Sequence, residues 1–248
     1  MNHRVKRLVS TWLFAGALCF GAAAFAADAP PAAKPQKALL VLTADEVDAR
    51  RFIAAPPAEH SEQQQADLAA VHRAIAAATP ERLLQAKWDD EHENPSAYYA
   101  IIGGGFDLKT LPATAALFAV VMNDQSFAAS KAKKAFPRLR PWASDASIHT
   151  CDPHDKPITS YPSGHATMGF TVAVVLATLM PEKASAIQAR AADYAYSREV
   201  CGSHYPSDTE ASHVLGTAVA LELLISPALQ SKIAAAKAEL RAARFIAQ

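Results

Sequence analysis

Three short clusters of residues in this chain hold the parts that phosphoryl transfer requires. Lys133 precedes Arg140-Pro141 with six residues between them; Pro162-Ser163-Gly164-His165 follows, and Ser197-Arg198, His204 and Asp208 complete the set. Phosphate oxygens need positive charge to hold them, the reaction needs a nucleophile, and the leaving oxygen needs a proton. Arginine offers a planar fork to such oxygens and lysine a point charge. Pro137 and Pro141 interrupt the first cluster, so helical spacing does not relate Lys133 to Arg140.

Ser163 sits between a proline and an apolar run, at an expected helix start. The N–H groups of Ser163, Gly164 and the first turn would converge there, where the helix dipole also favours an anion. Taken alone, Ser163 reads as a plain N-cap. Gly164 permits close backbone approach, and His165 beside it can give a proton to a leaving oxygen. His204 and Asp208 are four apart at another helix entry. That offset lets the carboxylate fix the imidazole tautomer and leave the far nitrogen as nucleophile. Asp208 also suits the helix dipole as a first-turn acid.

Other candidates carry less. His92 lies among Asp89, Asp90, Glu91 and Glu93, a grouping that reads as a solvated helix end before a cation site. His149, His154 and Asp155 lack tight ligand spacing, so no metal is expected. His213 reads as an ordinary helix residue, and Lys131, Lys134 and Arg138 as surface charges.

The elements that must position these groups read as helices. Ser61 with Gln64 forms a capping-box pattern ahead of a run to about Ala77, and Thr79-Pro80 starts a second helix. Pro95 opens a segment ending in Gly103-Gly104-Gly105. Pro112 to Lys134 is Ala-rich and predicts a long helix. Ala166 to Met180 is apolar nearly all round, the mark of a buried central helix. Glu182 to about Val200 is amphipathic, Ser207 with Glu210 suggests a capping box for a helix to about Ile225, and Ser226-Pro227 begins a final charged helix. Only Leu39 to Leu42 hints at a strand. The expected fold class is all-α, in one domain over residues 61–248.

Residues 1–26 read as a signal peptide. Arg4, Lys6 and Arg7 precede an apolar stretch, and Ala24-Phe25-Ala26 fits small-x-small cleavage. The apolar stretch is short for a membrane span, and Leu18 before Cys19 is too bulky for a lipoprotein site. Residues 27–60 form an Ala/Pro tether and then an arm across the domain. The whole chain balances 24 basic against 24 acidic residues. Loss of the signal's three basic residues leaves it about three units negative, which argues against a nucleic-acid partner. Export to the periplasm makes the remaining pair, Cys151 and Cys201, most simply one disulfide, with two buried thiols as the alternative.

The three clusters together resemble the signature of the phosphatidic acid phosphatase type 2 superfamily. Within it the chain resembles the class A bacterial non-specific acid phosphatases, through Ser160-Tyr161 before Pro162, Val200-Cys201-Gly202 before His204, and Cys151. The likeness extends over most of residues 60–248. It implies a helical bundle and a metal-independent, cofactor-free enzyme of the periplasm acting on small phosphomonoesters. It further implies phosphate binding by Lys133, Arg140, Ser163, Gly164 and Arg198, and attack by His204 to form phosphohistidine. Asp208 would orient His204, and His165 would serve as general acid and base. An acid pH optimum is expected. The alternatives are a vanadium-dependent haloperoxidase-like enzyme and a non-catalytic periplasmic phosphate binder. No membrane association is expected after signal cleavage, and an Ala-rich helical surface would permit a homo-oligomer.

Overall fold

A computed structural model describes residues 38–151 and 156–247. The expected signal segment, the first part of the tether, and His154 and Asp155 lie outside the described residues. The helices are α1 (Glu62–Ala77), α2 (Pro80–Glu91), α3 (Tyr99–Ile102), α4 (Pro112–Ala135), α5 (Pro141–Ser144), α6 (Gly164–Leu179), α7 (Ala184–Val200), α8 (Pro206–Ile225) and α9 (Gln230–Ala242). The class is all-α: among the described residues the only β-type pairing is an isolated parallel bridge between Arg138 and Thr159.

Local chemistry explains the boundaries. The Ser61 hydroxyl accepts from the Gln64 N–H, and Thr79 does the same for Arg82, so one orphan amide is satisfied at each start. Proline occupies the first turn of α2, α4, α5 and α8, where its missing N–H has no partner to lose. The start of α4 is capped from far away in sequence: Glu239 of α9 accepts from the N–H groups of Ala113 and Thr114 at 2.9 and 2.7 Å.

Helix α6 is the centre of the molecule and packs on α4, α7 and α8. Met168, Val172, Ala173, Val175 and Leu176 are completely buried, as an all-round apolar helix requires. Its crossing with α8 depends on Gly216, where an added Cβ would lie 2.6 Å from the Thr167 carbonyl oxygen. Backbones therefore touch at this point, fixing the first turn of α6 against the middle of α8.

Two expectations need correction. Residues 39–42 form no strand; the N–H groups of Leu40, Val41 and Leu42 instead converge on the Asp124 carboxylate at 2.8, 3.0 and 2.9 Å. A buried carboxylate on α4 thus takes the place of a partner strand and holds the arm. Helix α8 begins at Pro206, and Asp208 rather than Glu210 reaches back, accepting from the Tyr205 N–H at 2.9 Å. Ser207 lies inside the first turn and its hydroxyl bonds Asp67 instead.

Candidate active site

The sequence clusters meet between the ends of four helices. Lys133 comes from the last turn of α4, Ser163 to His165 from the start of α6, Arg198 from the end of α7, and Asp208 from the first turn of α8. Arg140 lies on an extended stretch ahead of α5. That stretch is aligned by backbone bonds to residues 157–160: Arg140 N–H to the Pro157 carbonyl at 2.8 Å and Ser160 N–H to the Arg138 carbonyl at 3.1 Å. A disulfide between Cys151 and Cys201 ties the loop after α5 to the turn after α7. In that turn Gly202 takes φ +62°, a conformation that favours glycine, and His204 follows it.

Arg140, Ser163, Arg198, His204 and Asp208 are buried, while Lys133, Gly164 and His165 are half-buried at the edge. Arg140 Nη1 lies 3.0 Å from His204 Nε2. A guanidinium only donates, so Nε2 must carry the lone pair and the proton of neutral His204 must sit on Nδ1. Nδ1 faces Asp208 Oδ2 at 3.4 Å, an ion-pair distance without hydrogen-bond geometry. His165 Nε2 lies 2.9 Å from the Asp90 carbonyl oxygen, which can only accept. Neutral His165 therefore holds its proton on Nε2, and Nδ1 is the nitrogen that gains and loses one.

Burial pushes the pKa of both histidines well below the ordinary histidine range. The charges of Arg198 and then Lys133 and Arg140 add to this for His165; Arg140, Lys133 and Arg198 do so for His204. His165 keeps a partly open face, yet protein surrounds its ring closely enough for burial to dominate. Burial also pushes the Asp208 carboxyl up, while Arg138, Ser160 and the Tyr205 N–H pull it down.

The arrangement suits an oxyanion. Arg198 is fully buried, and one of its nitrogens is held by Asp90. Its Nε and Nη2 are buried with no protein acceptor among the described residues. Buried charged donors without acceptors are costly, and a phosphate oxygen would satisfy them. Ser163 does cap α6, accepting from the Ala166 N–H at 3.3 Å. Its hydroxyl proton can still be donated. Among the described residues no group of three or more His, Cys, Asp or Glu side chains is arranged to hold a metal ion.

Arg138 is the largest correction. It was expected at the surface, but it is buried beneath the site. It donates to Asp208 Oδ1 at 2.5 Å, to Ser207 Oγ at 2.7 Å and to Asp67 Oδ2 at 2.7 Å. The available signal was its two-residue offset from Arg140, which in extended chain puts both side chains on one face. Asp90, read within a solvated acidic group, holds Arg198. Glu93 of the same group reaches the α6 start, where an added Cβ on Gly164 would lie 3.4 Å from its Oε1 and 3.7 Å from Lys133 Cε. His92 stacks on Trp88 at 3.9 Å and takes no part. His213 is exposed on α8 and stacks on Phe170 at 4.2 Å.

Residues 112–231, which carry every one of these clusters, match the PAP2 superfamily. This stretch belongs to the PAP2 superfamily. Named relatives are similar as well, one of them over a longer stretch. A non-specific acid phosphatase of Salmonella typhimurium is 28% identical over 204 residues, 79% of this chain and 81% of that protein. A non-specific acid phosphatase of Salmonella typhi is 34% identical over 46% of this chain, and an acid phosphatase of Zymomonas mobilis 33% identical over 48%. The matched stretch is 47% of each of those two proteins. A solved transmembrane PAP2-type phosphatidylglycerolphosphate phosphatase from Bacillus subtilis aligns at a TM-score of 0.47 and 16% identity, over 65% of this chain and 85% of that one. Among the described residues, no single helix is long and apolar enough to cross a membrane.

Proposed function

We propose that this PAP2 protein is a periplasmic acid phosphatase that hydrolyses small phosphomonoesters through a phosphohistidine, without a metal. The observation that carries the reading is the placement of His204, whose Nε2 meets the Arg140 guanidinium, so that its lone pair faces the cations, while Nδ1 faces Asp208. The phosphate displaces the contact between Arg140 and Nε2 and lies against Arg140, Arg198 and Lys133. Nε2 attacks phosphorus, the P–O bond to the leaving group breaks, and protonated His165 gives its Nδ1 proton to the departing oxygen. In the second step a water gives its proton to the same nitrogen and attacks phosphorus. The P–N bond breaks, and phosphate leaves with both rings back in their starting states.

The cations favour the charge that builds on the equatorial oxygens, and being fixed by folding they need no reorganisation. The same cations make a poor host for a metal ion. The acid optimum follows from His165, which must be protonated to donate: activity falls as pH rises through its pKa in the complex.

The test is turnover of a chromogenic aryl phosphate by the purified protein between acid and neutral pH, with excess chelator, beside His204→Ala. Chelator-resistant activity that is lost in the variant supports the reading. Activity that survives the substitution removes His204 as nucleophile. An inactive native protein that still binds inorganic phosphate would make it a phosphate binder.

A further inference from the structure

The proposed chemistry assigns no role to Arg138, although its guanidinium is buried and saturated with partners. Nη1 donates to Asp208 Oδ1 and Ser207 Oγ; Nη2 donates to Asp67 Oδ2 and to Gln64, and Nε reaches Gln64 Oε1 at 3.2 Å. Its plane lies over the Tyr205 ring, with Cζ 4.1 Å from the centroid. Such a fork cannot rotate without losing several charge-assisted bonds at once.

Asp208 is held as completely. Oδ1 takes Arg138, and Oδ2 takes the Ser160 hydroxyl at 2.6 Å and the Tyr205 N–H at 2.9 Å. The direction in which Oδ2 faces His204 Nδ1 is therefore set by what grips the other oxygen. We infer that Arg138 is a positioning residue, fixing the Asp208 carboxylate opposite Nδ1 so that, once phosphate has displaced the Arg140 contact from Nε2, it holds His204 in the Nδ1–H tautomer. This rests on the phosphohistidine reading, because the selected tautomer matters only if Nε2 is the nucleophile. Arg138 stays one layer back, its donors being taken by α1, α8 and Asp208.

The charges around this pair come from every side: Asp67 on α1, Glu199 and Arg198 on α7, Lys133 on α4, Arg140 ahead of α5, and His165 on α6. A general loss of fold or of local charge would act through any of them. The decisive measurement therefore follows His204 itself. Nitrogen-15 imidazole NMR of the whole protein with saturating inorganic phosphate, which displaces the Arg140 contact, reports the His204 tautomer without turnover, in wild type, Arg138→Gln, Arg138→Lys and Asp208→Asn. Aryl phosphate kinetics follow on the same samples and on Arg138→Gln/Asp208→Asn.

The expected result for Arg138→Gln is a mixed His204 tautomer. kcat should fall about 10- to 100-fold while KM stays within about threefold, since loss of the orienting group damages the chemical step more than binding. Arg138→Lys should recover part of both, and Arg138→Gln should cost nothing further once Asp208 is Asn. An unchanged tautomer with kcat within twofold overturns the inference, and so does an equal loss in the Asp208→Asn background. If Arg138→Gln does not fold, Arg138→Lys decides. It keeps the charge but not the fork, so a tautomer and kcat identical to wild type overturn fork positioning. If the wild-type protein shows no turnover the phosphatase reading fails, while the tautomer spectra still judge Arg138.

Discussion

Glu199 gives the sharpest quantitative test of the electrostatics behind the site. It follows Arg198 on α7 and lines a cleft of about 470 Å³ shared with Phe170, Tyr196, Thr209 and His213. Burial pushes its carboxyl up to about 7, with the charges of Asp67 and Asp208 adding to the shift; only the Thr209 hydroxyl, at 2.9 Å, pulls it down. In the unfolded chain the same group titrates near 4.5. Between those pH values the folded protein holds a proton that the unfolded chain has lost. Stability from this group is thus fully present below pH 4.5 and is lost as pH rises through 7.

At roughly 1.4 kcal/mol per pH unit that gap sets a ceiling of about 3 kcal/mol. The residue retains some contact with water through the cleft, so an effect of about 1–2 kcal/mol is expected. Glu199→Gln is neutral at every pH and keeps an oxygen to accept from Thr209. Guanidinium unfolding of wild type and variant at pH 4.5 and pH 8 should show no difference at the lower pH. At the higher pH the variant should be more stable by that amount, a melting shift of roughly 2–8 °C for a chain of this size. Taking the difference cancels the opposing contributions of His165 and His204. A variant no more stable at pH 8, or stabilised equally at both values, would refute the argument.

The remaining expectations concern the histidines, the disulfide and two packing sites. A bound phosphate anion offsets the three cations, so the alkaline limb that reports His165 should lie at higher pH in kcat than in kcat/KM; coincident limbs would count against His165 as the acid. Both histidines are held low in the folded protein, so the stability they contribute is present above their unfolded pKa and lost as pH falls below about 6.5. A double substitution of the two by Gln should flatten that acid-side loss in a denaturant series. Gly216→Ala should destabilise the protein by about 1–3 kcal/mol in thermal unfolding, because its Cβ would meet the Thr167 carbonyl at 2.6 Å. Cys201→Ser should lower stability by about 2–5 kcal/mol, read in the same way. Asp124→Ala removes the acceptor shared by Leu40, Val41 and Leu42, and limited proteolysis should then cut within residues 38–57 first.

What the sequence revealed and what it hid divide along a physical line. Caps, prolines and apolar periodicity act within one or two turns, so Ser61, Thr79, Pro112 and the all-apolar stretch of α6 were readable where they stand. The three clusters that meet at the candidate site were readable as a group because their residue types are rare in company. Counter-charges were not readable. Arg138 looked like one of several surface cations because Asp67 and Asp208, which make its burial tolerable, lie far away along the chain. Asp124 offered no sign that it would replace a neighbouring strand for residues 40–42. The start of α8 differs from the expected Ser207–Glu210 box because Asp67, far away along the chain, takes the Ser207 hydroxyl, while Asp208 accepts from the Tyr205 N–H.

Those counter-charges also explain the two helices that precede the PAP2 stretch. Asp67 on α1 grips Arg138, Asp89 on α2 takes Arg190 and Ser197, and Asp90 takes Arg198. The Asp90 carbonyl accepts from His165 as well. Within residues 112–231 Arg138 keeps Asp208 and Arg190 keeps Asp193, but the carboxylates that complete their pairing, and the one that holds Arg198, come from α1 and α2; a buried charge stripped of its partner costs several kcal/mol. Arg198 shows the arrangement most plainly. One side of its fork is tied to α2, which fixes the plane of the guanidinium, and Nε and Nη2 remain as donors. Were all its donors tied, no acceptor could bind; were none tied, the side chain would have to be ordered by the substrate at the substrate's expense in binding energy. A half-tied arginine lets folding order the cation in advance, so that on the proposed reading a phosphate would meet fixed donors and its charge would be stabilised without reorganisation.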